Sequence, residues 1–341
     1  MKLIRTRDAV GHVICHDITQ IIPGVVKDAR FRKGHTVSAE DIPVLLSMGK
    51  ENLYVWEKSP GMLHENDAAE RLAALCLNDG MTRTETKEGK IELMADTDGL
   101  FCVDTERLLA VNMTEEIIIA TRHGNTAVKK GDKLCGVRII PLLISEEKMA
   151  AVEKAAGKTP LLKIIPRKLK TAGLVVTGSE VAKGLIEDKF SPVIVKKLEE
   201  YGVEVTFSVT VTDDTDIIKE SVLRMKEAGV DMILCSGGMS VDPDDKTPGA
   251  IKAAGAKIIC CGAPVLPGAM FLLGYFENGV PVMGLPGCVM YSKATVFDLL
   301  LPRIVSAAPV TRSDTALLGH GGLCLGCETC NYPVCPFGKG E

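Results

Sequence analysis

The sequence predicts an α/β protein whose second half folds as a three-layer domain around a mostly parallel sheet, with a mixed α+β region before it and a Cys-rich tail after it. Three observations predict this. From Ala172 onward, extended apolar runs alternate with helical ones. Before that point, short strands and single helices follow no regular order. At the far end, Cys324, Cys327, Cys330 and Cys335 crowd together. The expected divisions are residues 1–165, 171–307 and 308–341.

Each element has its own signal. "DAVGHVICHDI" reads as a strand, and "SAEDIPVLLSMG" as a helix with Ser38 as its cap. In "NDAAERLAALCLNDG", Ala68, Leu72, Leu75 and Cys76 keep helical spacing until Gly80. "EEIIIATRHGNTAVKKGDKLCGVRIIPLLI" alternates extended runs with glycine turns, which reads as strands paired in hairpins. Basic residues from Lys163 to Lys170, beside Pro166, mark a linker. Beyond it come strand "AGLVVTG", helix "FSPVIVKKLEEYG", strand "VEVTFSVTV", helix "DTDIIKESVLRMKEAG", strand "VDMILCSGG", helix "TPGAIKAAG" and strand "AKIICCG". The extended runs "MFLLGYF" and "VPVMGLPG" precede a last helix, expected from about Met290 to Val305.

A chain of 341 residues exceeds one ordinary core, and 46% hydrophobic with 25% charged residues is globular composition. A net charge of -4 and 4% aromatics supply neither the basic field nor the stacking platforms of nucleic-acid binding, so nucleic acid is not an expected partner. The first residues lack the pattern of a secretory signal, and no apolar run is long enough for a bilayer. Eight of the twelve cysteines are scattered among apolar residues and read as buried thiols in a reducing cytoplasm. The expectation is a cytoplasmic protein with no membrane partner.

The stretch "MILCSGGMSVDPDDKTPGAI" joins an apolar strand to two glycines, two serines and three aspartates. In parallel sheets, ligands bind beyond the carboxyl ends of the strands. There Gly237 and Gly238 allow backbone amides to approach an anion, and Ser236 and Ser240 add hydroxyls. Carboxylates beside a phosphate would repel it unless a divalent cation stood between, so Asp242, Asp244 and Asp245 read as magnesium ligands or acid-base groups. The plainer reading keeps the glycines as a turn and makes an aspartate the cap of the helix that starts near Thr247.

Two further loops follow strands, "VVTGSEVAKGLIED" and "VMGLPGCVMYS". Together the three stretches resemble the molybdopterin-binding domain family shared by molybdopterin molybdotransferases and adenylyltransferases. Its pattern runs T-G-x-E, I-x-D, S-G-G-x-S with D-x-T, P-G and L-P-G. The resemblance covers Ala172 to about Val305. It implies that Thr177, Gly178, Glu180, Asp188, Ser236, Gly237, Gly238, Ser240, Thr247, Gly268, Pro286 and Gly287 bind molybdopterin, adenylylated or free, and that Asp245 is the catalytic, Mg2+-associated aspartate. It further implies a homodimer of molybdenum cofactor biosynthesis that acts on molybdate or tungstate, with a recipient metalloenzyme as partner. "DAVGHVICHDI" and "RKGHTVSAEDIPVLLSMGKENLYV" resemble segments of the molybdotransferase branch.

The departures define the alternatives. Where the family has an aspartate, an asparagine and "L-P-G-N-P", this chain has Ser179, Phe190 and "LPGCVM"; where the molybdotransferases place lysines around P-G, it has Val265 and Ala269. These favour a carrier or sensor that holds the cofactor without turnover. "DPDDKTPGAI" is also similar to the loop of the competence-damage-inducible proteins, which implies a pyrophosphatase or amidohydrolase as a further alternative.

The tail carries C-x2-C-x2-C-x4-C-P, one residue longer before its last cysteine than the bacterial ferredoxin run. Thiolates this close repel one another unless a cation neutralises them, so Cys324, Cys327, Cys330 and Cys335 are candidate ligands of an iron–sulfur cluster or zinc. His12, His16, His35, His64 and His123 have no metal-ligand spacing, and Cys260 and Cys261 read as packing residues.

Overall fold

A computed structural model describes residues 2–22, 26–55, 60–240 and 242–340. The chain gathers into two compact units. The first holds Met1–Asp96, Val103–Arg122 and Lys130–Lys163; the second holds Thr97–Cys102, His123–Lys129 and Ile164–Glu341.

In the first unit, Ala9, Ile14, Ile18, Phe31, Val37, Leu45, Leu53 and Val55 form a small core. Around it, Lys2–Arg5 pairs with Asn52–Val55, and Ile18–Ile22 with Val26–Phe31, both antiparallel. The stretch "DAVGHVICHDI" is not a continuous strand: Val13 and Ile14 make isolated bridges, and a strand begins only at its last residue, Ile18. Thr6–Asp8 wind into a 3-10 turn just before, and Gly11 at φ 81 bends the chain away from extended backbone. The expected capping role is reversed at the helix Asp41–Ser47. Both the amide and the hydroxyl of Ser38 donate to the Asp41 carboxylate at 2.8 Å.

Elsewhere in the first unit, helix Glu65–Cys76 packs on a four-stranded antiparallel sheet in the order Met81–Arg83, Lys90–Ala95, Lys133–Ile139, Ile117–Thr121. The helix buries Ala68, Ala69, Leu72, Ala73 and Cys76, one face of its helical period. His64 caps it, with Nδ1 accepting from the Asn66 amide at 3.2 Å and facing the Lys33 ammonium at 3.0 Å. Its Nε2 then donates to the Cys15 carbonyl at 2.6 Å, so the ring is neutral. The expected chain of hairpins is interrupted here: Ile117–Thr121 pairs with Lys133–Ile139, while Thr126–Val128 pairs with Gly99–Phe101 in the second unit.

The second unit is built on β1 (Thr171–Thr177), α1 (Ser179–Ala182), α2 (Ser191–Glu199), β2 (Glu204–Val211), α3 (Thr215–Glu227), β3 (Met232–Ser236), α4 (Thr247–Ala253), β4 (Lys257–Cys261), β5 (Leu272–Tyr275), β6 (Pro281–Leu285), α5 (Val296–Val305) and α6 (Arg312–Leu317). The sheet order is β2-β1-β3-β6-β5-β4. Strands β2, β1, β3 and β6 run parallel, and β5 lies antiparallel between β6 and β4. Period-two alternation sends Leu174, Val176, Met232 and Leu234 to a core shared with Ile194, Leu198, Phe297 and Leu300 of α2 and α5. Val175, Ile233 and Cys235 face Ile218, Val222, Ala250 and Ile251 of α3 and α4. That is the three-layer α/β arrangement expected from the sequence.

Two boundaries differ. The last helix begins at Val296 rather than near Met290, because Gly287–Met290 form a separate 3-10 turn and the Thr295–Asp298 capping box sets the start of α5. Within the basic stretch read as a linker, Leu162–Pro166 is a strand with Leu162 and Ile164 buried and Lys163 outside. None of the described helices is long and apolar enough to cross a membrane.

Candidate functional site

The parallel register decides which loops share an edge. Thr177 pairs with Val211, Val176 with Ser236, and Ser236 with Leu285, so the loops after β1, β2, β3 and β6 leave the sheet on one side. Because β5 runs the other way, the Pro-Gly turn that precedes Leu272 emerges there too, with Leu272 opposite Gly284. The central loop sits among these neighbours. Thr247 Oγ1 donates to the Gly237 carbonyl at 2.8 Å and stands 3.4 Å from Thr177 Oγ1.

Gly237 and Gly238 have φ of 88 and 57. A Cβ on Gly237 would lie 2.3 Å from the Thr177 carbonyl oxygen, and one on Gly238 2.8 Å from Thr247 Oγ1. The glycines therefore serve the packing of the loop between β1 and α4 as well as leaving its amides bare. Just before them, Ser236 Oγ is buried with no hydrogen-bond partner among the described residues. An unmatched buried hydroxyl is costly unless a ligand meets it, so this atom fits a polar group bound against the loop.

The carboxylates are arranged more loosely. Asp245 Oδ2 accepts the Asp242 amide at 3.0 Å, and the Asp245 amide donates to the Asp242 carbonyl at 2.9 Å, which closes a small turn. Asp242 and Asp244 are exposed and Asp245 is half-buried. A magnesium ion that keeps its waters and substrate phosphates needs only one or two carboxylates, and Asp245 suits that role. Among the described residues, no three His, Cys, Asp or Glu side chains stand together as a metal site.

The first loop is partly committed to structure. The Asp188 carboxylate takes the amides of Phe190 and Ser191 and the Ser191 hydroxyl, and so begins α2. Glu180 is exposed on the short α1, and Gly178 donates its amide to the Val211 carbonyl at 3.1 Å. Ser179 donates from its amide and hydroxyl to Asp213 at 2.8 and 3.0 Å. Asp213 was not among the expected site residues, although "VTDDTD" follows a parallel strand just as the chosen loops do. Lys246 is another such residue: it follows Asp245 in the central loop and gives it a cation, with Nζ bonded to the Pro243 carbonyl.

In the last two loops, Gly268 at φ 122 lies against Val296 at the start of α5, where a Cβ would stand 2.8 Å from Val296 Cγ1. Val265 is fully buried. Pro286 is buried, whereas exposed Gly287 has open space where a Cβ would be. Ser240 is exposed beside Met239, whose sulfur would meet a Cβ on Gly284 at 2.4 Å. A cavity of about 380 Å3 lies on the first unit's sheet beside Lys90, Arg122, Lys133 and Arg138.

The tail is packed but its thiols are not gathered. Cys324 and Cys335 are half-buried against the α/β core, while Cys327 and Cys330 are exposed. Backbone bonds at one end and the buried Phe337 at the other seat the two outer thiols and leave the two inner ones in solvent.

Residues 173–306 match the family model described as a probable molybdopterin binding domain, and residues 3–57 match a domain of unknown function. A CinA-like protein of Mycobacterium tuberculosis is 43% identical over 77 residues, which are 22% of this chain and 18% of that protein; one of Mycobacterium leprae is 42% identical over the same length and shares. The chain thus spans about a fifth of the length of these relatives. Among solved structures, the protein CinA with unknown function from Thermoplasma acidophilum is 21% identical, covers 40% of this chain and 98% of its own, and has a TM-score of 0.35. The molybdopterin biosynthesis enzyme MoaB from Thermus thermophilus is 20% identical, covers 42% and 99%, and has a TM-score of 0.33. Through residues 173–306, this chain is similar to the proteins that the model of a probable molybdopterin binding domain describes.

Proposed function

We propose that the protein acts in molybdenum cofactor biosynthesis: as a homodimer it binds adenylylated molybdopterin across the loops after β1, β3 and β6 and promotes insertion of molybdate or tungstate for a recipient metalloenzyme. The observation that carries this reading is the central loop, where Gly237 and Gly238 take positive φ directly after Ser236, whose buried hydroxyl has no hydrogen-bond partner among the described residues. Thr177 and Thr247 hold the loop in shape, and Gly178, Gly268, Pro286 and Gly287 would contribute neighbouring backbone at the same sheet edge. Asp245 would hold Mg2+, which when bound neutralises pyrophosphate charge and lowers the barrier to its cleavage. Lys246 supplies the fixed positive charge beside it. Cys324, Cys327, Cys330 and Cys335 would hold an iron–sulfur cluster or zinc.

A second reading, a carrier or sensor without turnover, is favoured by Val265, which is buried and offers no cation at the Pro-Gly turn. A third, nucleotide pyrophosphate or amide hydrolysis, draws on the similarity to CinA-like proteins. One experiment separates them. Protein purified without oxygen is analysed by mass spectrometry for bound pterin, then incubated with adenylylated molybdopterin, Mg2+ and molybdate. Release of AMP dependent on molybdate supports the first reading. Retained pterin without release supports the second, and hydrolysis of a nucleotide with no pterin present supports the third.

A further inference from the structure

The tail has a closed base. The Gly338 amide donates to the Gly321 carbonyl at 2.9 Å, so the chain leaves and returns at one place. Cys324 lies three residues after that base and Cys335 three before it. On the outgoing side, Leu266 of the Pro-Gly turn donates to the Gly322 carbonyl at 2.7 Å and accepts the Cys324 amide at 2.8 Å. Gly322 is held so tightly that a Cβ would lie 2.4 Å from the carbonyl oxygens of both Leu318 and Pro264. On the returning side, the Tyr332 hydroxyl donates to the Asp298 carbonyl at 3.0 Å, Phe337 is only 4% exposed, and a Cβ on Gly338 would meet Leu299 at 2.3 Å. Both sides therefore grip parts of the cofactor edge: the Pro-Gly turn and the first turns of α5.

Between the seated sides runs an exposed arch, residues 325–331, with Cys327 and Cys330 in solvent. From Gly321 to Gly338 there is no Lys, Arg or His, and Glu328 adds a negative charge. Lys339, just beyond, brings one ammonium onto the Pro333 carbonyl at 2.6 Å, too little charge for four thiolates, so gathering them in that form requires a further cation.

We infer that the tail is a clasp, closed when a thiophilic metal centre draws Cys327 and Cys330 of the arch onto Cys324 and Cys335 of its seated sides, and that closure fixes the Pro-Gly turn and the start of α5 at the cofactor edge. This rests on the tail metal proposed above. Each thiol gives up its proton to solvent as it coordinates, and no electron transfer is involved. Tetrahedral zinc and an iron–sulfur cluster share this thiolate chemistry.

The test uses the full chain purified without oxygen. Metal and sulfide are counted per chain, visible absorption is recorded, and amide hydrogen exchange is followed at Leu266 and Cys324. One zinc per colourless chain, or iron with sulfide and a visible band, meets the proposal and identifies the metal. In Cys327→Ser/Cys330→Ser, whose substitutions lie on the exposed arch, the metal should be lost and exchange at both amides should rise at least about tenfold, since local opening sets that rate. Chain free of metal, or a double variant that retains it, overturns the site. Metal loss with unchanged exchange overturns the clasp. Failure of metal-loaded protein to bind pterin nucleotide counts against the cofactor reading and leaves the clasp standing.

Discussion

Thr177 and Thr247 face each other with their hydroxyl oxygens 3.4 Å apart, and Gly237 is pressed against the first while bonded to the second. A Cβ at Gly237 has nowhere to go, and its φ of 88 is unfavourable for any other residue. Gly237→Ala should lower folding stability by about 2–4 kcal/mol, the range of strained backbone plus local repacking. Urea melts will measure it. A variant as stable as the parent would mean that the loop is not packed as described.

Gly287 offers the complementary case. With open space at its Cβ, Gly287→Val should change stability by no more than about 0.5 kcal/mol, as surface substitutions do. If a pterin nucleotide lies on this backbone, calorimetry should show affinity falling about tenfold or more for the branched side chain. Equal affinity would remove Gly287 from the site.

Asp245→Asn keeps an oxygen for the Asp242 amide, so the turn should persist. Magnesium-dependent cleavage of adenylylated molybdopterin should fall about a hundredfold or more, because an amide is a poor ligand for a hard cation. AMP release at several Mg2+ concentrations would show it. Unchanged release would move the metal elsewhere.

Lys197 and Asp298 form an ion pair whose side chains are 13% and 11% exposed. Asp298 also completes the cap of α5 through the Thr295 amide and hydroxyl. Lys197→Met leaves that carboxylate without its counter-charge and should cost about 3 kcal/mol, the low end for a broken buried pair. Circular dichroism melts of the pair Lys197→Met and Lys197→Arg will tell charge from shape, with arginine expected to recover most of the loss.

His64 makes the first unit sensitive to acid. Burial, then the nearby Lys33 ammonium, lowers its pKa, although the Cys15 carbonyl works the other way. The unfolded chain takes up the proton near the ordinary value of about 6.5, while the folded chain resists it. Stability is thus fully present above that value and declines as pH falls from there toward the lowered folded pKa. Melts of the parent and His64→Gln between neutral pH and about pH 5 should converge as the pH drops. A difference that stays constant would assign the slope to another group.

The alternation from β1 to α4 could be read from the sequence because strands buried on both faces carry unbroken apolar runs and helices carry period-3.6 patterns. The edge at which the loops meet could be read for the same reason: in parallel strands, chain direction alone places Thr177, Ser236 and Leu285 together. Direction is also what stayed hidden in β5, whose residues look alike in either orientation. The strand Leu162–Pro166 is short and ends in proline amid lysines, so its alternation of buried and exposed residues looked like a polar connection. The thiols of the tail were plain in the sequence, but their seating depends on Tyr332 and Phe337 meeting α5, across a separation that no local pattern reports. Asp213 reaches the site by the same kind of long-range meeting.

The second unit takes Thr97–Cys102 and His123–Lys129 from the first half of the chain. During synthesis those segments emerge well before the strands they join, and Gly99 cannot settle against Ile164 and Ile165 until these have left the ribosome. The later half is therefore not a module that a single cut releases. A gene fragment starting at Lys170 would encode the whole six-stranded sheet yet lack the three strands of its accompanying sheet, Gly99–Val103, Thr126–Val128 and Leu162–Pro166, with apolar residues such as Leu100, Phe101 and Val128 left behind on the other piece. Evolution or engineering that exchanges the first half for another must carry those short segments along, which limits the gene fusions this architecture tolerates.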